Sequence, residues 1–318
     1  LCGAWVQNIH FPPWNSFHAE LLAFSAFAGL FALVFIEWAD GNTSWGVSGV
    51  ELSIAFVLVV VVLQAAFGIQ DYVGDAVVVA LYLIAMIFAV SAGRHMGTYS
   101  YATELFAWTL LLVGICSTTI ALIQSIHYEY QFALINPMPH WRRPGGNLAQ
   151  PNHLGTLLLW AVASVMYLRI SEKISRALSV LLCVFFLIGL AVTESRTAML
   201  GMVAIAVCWA RAPFQPRVPF RFLQSVSFVG LGVLLFFCWP AFITGVQAGG
   251  WSGTALVGGQ VNTQVGTRFL VWPQLLAAVS ERPLMGWGLP GVSTALNAVL
   301  DQYTSSEPFT YAHNLLLD

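Results

Sequence analysis

The sequence predicts an all-α, polytopic membrane bundle, and three observations carry that prediction. Of the 318 residues, 58% are hydrophobic and only 8% charged, whereas a soluble domain carries about 25% charged residues. Mean hydropathy is +0.78, far above what a water-facing surface allows. Long apolar runs recur along the chain without the two-residue alternation of a barrel strand. In lipid only helices and closed barrels satisfy their own peptide groups, so these runs are read as helices.

Eight spans are expected, at about 20–38, 52–70, 74–92, 105–126, 153–169, 177–193, 197–211 and 223–243. Each approaches the roughly 20 residues needed to cross about 30 Å of hydrocarbon. Residues 1–19 precede the first span. The loop 39–51 follows it and holds only Asp40 and Glu51. The turn around Asp71 and Asp75 leads into the third span, and Arg94 follows that span. The loop 127–152 joins spans four and five; Arg169, Lys173 and Arg176 lie between five and six. The turn Thr193–Thr197 joins six and seven, and Arg211, Arg217 and Arg221 lie between seven and eight. The Arg94, Arg169–Arg176 and Arg211–Arg221 loops are an even number of spans apart, so they share one side. The bias of Lys and Arg toward the cytoplasm makes that side cytoplasmic. The rest faces outward, including the segment 244–312, which opens Gly-rich and continues into an amphipathic helix from about Thr267 to Ser280, ended by Glu281-Arg282-Pro283.

A net charge of −2 and the lack of a basic stripe give no reason to expect a nucleic-acid partner. Of Cys2, Cys116, Cys183, Cys208 and Cys238, four sit inside apolar runs and read as small core hydrophobes. No spacing suggests a metal site. The chain starts at Leu1 and stops just after the apolar His313-Asn314-Leu315-Leu316-Leu317. It is therefore expected to be a fragment lacking at least one helix at the C-terminus and one at the N-terminus.

Five basic residues fall on the outer side against the bias: Arg142, Arg143, Arg196, Arg268 and Arg282. Arg196 lies in a tight turn between two apolar spans, where an ionised side chain costs about 2.5–3.5 kcal/mol on insertion scales. A local pair with Glu194, or snorkelling to the headgroups, is the plain alternative. Arg142 and Arg143 read equally as headgroup contacts, and Arg268 as the exposed face of a surface helix. Together the outward arginines suggest an anionic ligand, because guanidinium forks match phosphate oxygens bidentately. His313 begins a new helix after the outer segment, where imidazole can exchange a proton near neutral pH, unless it merely caps that helix. Gln150 and Asn152, beside His153, supply neutral donors and acceptors suited to sugar hydroxyls or an acceptor backbone; Asn152 reads equally as a helix cap. Outer tryptophans such as Trp272 suit sugar faces or the membrane belt.

The stretch Arg142-Arg143-Pro144-Gly145-Gly146-Asn147-Leu148-Ala149-Gln150-Pro151-Asn152-His153-Leu154-Gly155-Thr156 resembles the signature of bacterial protein O-oligosaccharyltransferases of the PglL type. Further on, Glu194-Ser195-Arg196-Thr197-Ala198, Gly266-Thr267-Arg268-Phe269-Leu270-Val271-Trp272, Pro283-Leu284-Met285-Gly286-Trp287-Gly288 and His313-Asn314-Leu315-Leu316-Leu317-Asp318 resemble the O-antigen ligase/polymerase (Wzy_C) superfamily. The resemblance implies N-terminal transmembrane helices over 1–140, a signature loop and helix over 141–168, and a ligase-like domain over 177–318. It implies a multi-pass protein of the bacterial inner membrane with its active site toward the periplasm. The donor would be a glycan on undecaprenyl pyrophosphate and the acceptor a Ser or Thr of a periplasmic, pilin-like protein. The essential arginine and histidine positions match Arg196, Arg268 and His313, with Arg142, Arg143, Gln150, Asn152, His153, Trp272 and Arg282 as substrate contacts.

Transfer to lipid A-core, or polymerisation of O-antigen, keeps the same chemistry with another acceptor. A transporter or flippase is the alternative from a different class, but it would place charge at mid-membrane. The resemblance implies no cofactor and no metal, and the outer carboxylates form no DxD pair. Full-length enzyme is expected to keep its activity in EDTA; activity lost there and restored by Mn²⁺ would overturn that expectation.

Overall fold

The computed structural model describes residues 2–8, 17–40, 46–69, 72–138, 143–211, 221–247, 264–283, 286–287 and 295. Among these, the side chains of 2, 17, 221–222, 244–247 and 264–272 are outside the description. The described elements are all helical: α1 (Cys2–Val6), α2 (Phe17–Ala39), α3 (Gly49–Ala66), α4 (Val73–Met96), α5 (Ser100–Ser125), α6 (Pro151–Ile170), α7 (Arg176–Thr193), α8 (Arg196–Arg211), α9 (Arg221–Gln247) and α10 (Gln264–Glu281).

Each expected span falls on one of the helices α2–α9. Seven of them are long and apolar enough to cross a membrane. The exception is α8, whose 16 residues begin and end with arginine. At 1.5 Å per residue it covers about 24 Å, short of the hydrocarbon thickness. Seven of the eight expected spans thus qualify by length and composition, and α8 falls short on length. The segment 244–312 is described only in part, and its expected role as a large outer loop lies outside the described residues apart from α10, which carries Pro273.

Two compact units divide the chain. The first comprises residues 1–23 and 97–259. Its core lies among α5, α6, α7 and α8 and centres on Leu154, Leu158, Val162, Phe186, Leu190 and Met202. Small residues set the helix separations. A Cβ on Gly114 of α5 would lie 2.5 Å from Ala161 Cβ and 3.1 Å from Phe186 Cε1. One on Gly155 of α6 would lie 2.7 Å from Ala198 Cβ on α8, and one on Gly189 of α7 would lie 2.8 Å from Leu158 Cδ1. Small residues at such seams let backbones approach where lipid offers no hydrophobic drive between helices. Leu105, Leu181, Leu200 and Phe237 point outward and stay exposed, as a hydrocarbon solvent permits.

These seams fix helix direction. Gly155 meets Ala198 and Gly201 meets Leu159, so α6 and α8 run parallel. Ser225 of α9 donates to Ala206 O at 2.9 Å, while Gly232 approaches Met202, so α8 and α9 run antiparallel. One end of the set therefore carries Arg169, Arg176 and Arg211. There Lys173 pairs with Glu104 of α5 at 2.7 Å. The opposite end carries the α5–α6 loop and the α7–α8 turn.

The second unit comprises residues 24–96 and 260–318. Within it α3 and α4 form a hairpin. Ser48 and Glu51 make a capping box at the start of α3. Arg94 Nη1 bonds Glu51 at 2.7 Å and Gly46 O at 2.7 Å. His95 meets Glu37 of α2 at 2.5 Å, and Phe31 stacks on Phe88 with centroids 4.4 Å apart. The loop that looked poor in positive charge thus has its acidic Glu51 answered by Arg94.

Gly114→Val is expected to pry α5 from α6 and lower stability by about 1–3 kcal/mol. The thermal midpoint of the protein in detergent, followed by tryptophan fluorescence, checks this.

Candidate functional site

The α7–α8 turn is built by two buried hydroxyls. Thr193 Oγ1 donates to Leu190 O at 2.7 Å and accepts Ser195 N at 3.2 Å. Ser195 Oγ accepts Ala198 N at 3.3 Å, which caps α8, and donates to Asn152 Oδ1 of α6 at 2.8 Å. Both Thr193 and Ser195 are 0% exposed. Between them Glu194 adopts the left-handed conformation, with φ 48° and ψ 29°, which disfavours a residue bearing a Cβ. The outcome is that Arg196 stands exposed at the first position of α8. It has no hydrogen-bond or ion-pair partner among the described residues. The positive end of the helix dipole lies at the same place.

The signature loop packs against this turn. Arg143 is half-buried and its Nη1 donates to the main-chain carbonyl of Glu194 at 2.6 Å. Pro144, Gly145, Gly146 and Asn147 are buried. Gly145 is required by close approach, since a Cβ there would lie 2.5 Å from Gln150 N. Gln124, at the end of α5, grips the loop from beneath. Its Nε2 donates to Asn136 O at 2.9 Å and Gly146 O at 3.2 Å, and its Oε1 accepts Gly146 N at 2.8 Å. Asn147 Nδ2 donates to Val6 O at 2.6 Å and Leu134 O at 2.8 Å, and its Oδ1 accepts Asn136 N at 2.9 Å.

The structure therefore brings Arg143, Gln150, Asn152, His153 and Arg196 to one end of the first unit. Gln150 sits at the N-cap of α6 without capping it, and its Oε1 is buried with no partner among the described residues. Asn152 is not the helix cap; it is the second residue of α6 and accepts from Ser195. His153 is exposed in the same turn. No Glu194–Arg196 ion pair forms among the described residues. In the second unit, the Arg282 guanidinium lies 4.0 Å over the Trp287 ring, whose Nε1 donates to Ala278 O at 2.9 Å. One face and the N–H of Trp287 are thus engaged internally. Arg268 and Trp272 lie on α10, with side chains outside the described residues, as do Arg142 and His313 entirely.

Sequence reasoning passed over Gln124, Asn147, Thr193 and Ser195. An amide at the end of an otherwise apolar run was the available signal for Gln124. Among the described residues no three His, Cys, Asp or Glu side chains converge. This end offers cations, amides and hydroxyls.

Burial raises the Glu194 carboxyl above its free value of 4.5, and the nearby Arg143 charge opposes that rise in part. The fold thus favours the protonated acid. Stability from this group falls as pH rises through the window between 4.5 and the raised value, and it stays lost above it. Glu194→Gln is therefore expected to be more stable than the native protein by less than about 1 kcal/mol near neutral pH, the group being part-exposed. The difference should vanish at about pH 4; thermal midpoints in detergent at both pH values check it.

Comparison with known proteins adds the family. Residues 181–318 match the family model described as O-Antigen ligase, and residues 144–168 match that described as Protein glycosylation ligase. The chain is 26% identical over 324 aligned positions to the General O-oligosaccharyltransferase of Acinetobacter baylyi, covering 99% of this chain and 55% of that one. It is 27% identical over 271 positions to the ComP-specific O-oligosaccharyltransferase of the same organism, covering 83% of this chain and 47% of that one. The chain thus spans about half the length of the curated relatives it matches. No solved structure matches. The Arg143–Asn152 stretch lies in or beside the shorter matched segment and Glu194–Arg196 in the longer one, so the residues gathered at this end are those by which the chain is similar to the O-antigen ligase and protein glycosylation ligase families.

Proposed function

We propose that this chain is part of an inner-membrane glycosyltransferase that moves a glycan en bloc from undecaprenyl pyrophosphate to Ser or Thr of periplasmic, pilin-like proteins. The observation that carries the reading is Arg196: an exposed guanidinium without a protein counter-charge among the described residues, held by a buried frame at a helix N-terminus inside the O-antigen ligase segment. Such a cation is suited to a diphosphate arriving from outside the fold. Two relatives named O-oligosaccharyltransferases support the acceptor class. The Arg169, Lys173, Arg176 and Arg211 end suits the cytoplasm, which leaves the Arg143 and Arg196 end to the periplasm.

In the proposed reaction the acceptor O–H gives its proton to His313, its oxygen attacks the anomeric carbon, and the bond from that carbon to the phosphate oxygen breaks. Lipid pyrophosphate leaves with the bonding pair, and configuration inverts. The growing negative charge is met by Arg196 and Arg268. Arg142, Gln150, Asn152, His153, Trp272 and Arg282 remain candidates for contacts to glycan or acceptor. With guanidinium groups in that role, the reaction needs no metal ion. The O-Antigen ligase description of residues 181–318 favours lipid A-core as the second acceptor reading. A transporter is disfavoured because α6–α9 carry their charges only near their ends.

The test is transfer by the full-length protein from a defined lipid-pyrophosphate glycan to a pilin-like acceptor. Arg268→Ala and His313→Ala should abolish transfer while membrane insertion persists. Arg196→Lys should lose about 10²-fold, because an ammonium cannot reproduce the fork. Full activity in Arg196→Lys contradicts the assigned role. Glycan found on lipopolysaccharide and not on protein, comparing a deletion strain with its parent, moves the reading to the ligase.

A further inference from the structure

Three ties join residues 143–155 to residues 194–198, and all of them bear on the backbone that carries Arg196. Arg143 Nη1 bonds Glu194 O at 2.6 Å, across 51 residues of sequence. Ser195 Oγ bonds Asn152 Oδ1 at 2.8 Å, across 43. Gly155 lets α6 approach until a Cβ there would lie 2.7 Å from Ala198 Cβ. The first segment is itself anchored from below by Gln124 and Asn147. A left-handed residue other than glycine persists only where its surroundings fix it, and the Arg143 bond falls on the carbonyl of that very residue, Glu194.

We propose that Arg143 is a positioning residue: it clamps the α7–α8 turn through the Glu194 carbonyl and thereby sets where Arg196 meets the donor diphosphate. The sequence alone placed Arg143 among the substrate contacts, and the clamp assigns it a different task. It couples the protein glycosylation ligase segment to the O-antigen ligase segment, so that the first governs the second through geometry. A guanidinium held at 2.6 Å by a main-chain carbonyl is directed into the protein, and its charge also faces the part-buried Glu194 carboxyl. The proposal rests on the role given to Arg196 above.

The test uses the full-length protein in proteoliposomes and has two arms. The first needs no transfer: Arg196→Cys is labelled with a membrane-impermeant maleimide, alone and combined with Arg143 variants. Arg143→Ala should change the labelling rate by about fivefold or more as the turn loosens, and Arg143→Lys, which still donates to a carbonyl, should stay within about twofold. The second arm measures kinetics with Arg196 native. Arg143→Ala should lower kcat about tenfold with the KM for lipid donor within about twofold, and Arg143→Lys should recover most of the loss. Should Arg143→Ala fail to accumulate, Arg143→Gln, too short to hold the carbonyl in place, serves both arms. A raised donor KM with unchanged kcat would show direct phosphate contact and overturn the clamp; so would an unchanged labelling rate. If the native protein transfers nothing, the functional reading falls, and the labelling arm alone still decides the clamp.

Discussion

Hydrocarbon tolerates neither a bare charge nor an unpaired peptide group, and the described architecture follows from meeting that constraint. Peptide groups are satisfied within helices. Helices are then drawn together through small residues, because lipid supplies no hydrophobic drive between them. Gly114 against Ala161, Gly155 against Ala198 and Gly189 against Leu158 are the seams that result. The Gly155 seam has a second effect. It sets the start of α8 against α6, and so where Arg196 stands at that end of the unit.

Charge is left to the helix ends. At one end of the first unit, Lys173 has a carboxylate partner in Glu104, while Arg169, Arg176 and Arg211 have no side-chain partner among the described residues. At the other, Arg143 bonds a main-chain carbonyl and Arg196 has no partner among the described residues. What distinguishes Arg196 is the buried frame of hydroxyls and amides that shapes its turn, and the proposed reception of a donor diphosphate rests on that frame. The part-buried Glu194 beside Arg143 makes the electrostatics of that turn depend on protonation as well as on geometry.

Much of the fold was legible in the sequence, since spans in lipid are written as uninterrupted apolar runs. The helices α2–α9 fall where those runs lie. Hydropathy also marked α8, yet its 16 residues between arginines fall short of a span, and the difference is one of length. The site was legible as chemistry more than as geometry. Arg196 stood out as a charge where charge is costly. Nothing in the local sequence told that Arg143 would turn inward to Glu194, that Asn152 would accept from Ser195 instead of capping α6, or that Arg282 would cover Trp287. Each of these contacts depends on which segments the bundle brings together, which a single chain read locally does not encode. The same holds for Gln124 and Asn147, whose partners lie up to 141 residues away.

The proposed function requires the Arg143–Arg196 end of the first unit to receive the donor diphosphate. Photo-crosslinking the full-length protein in membranes with a polyprenyl-pyrophosphate analogue, its reactive group beside the diphosphate, tests this directly once the modified peptides are mapped. Label is expected on the turn and first helical residues at 194–199, competed by unlabelled lipid pyrophosphate. Competable label on the opposite end instead, around Lys173, Arg176 and Arg211, would contradict it.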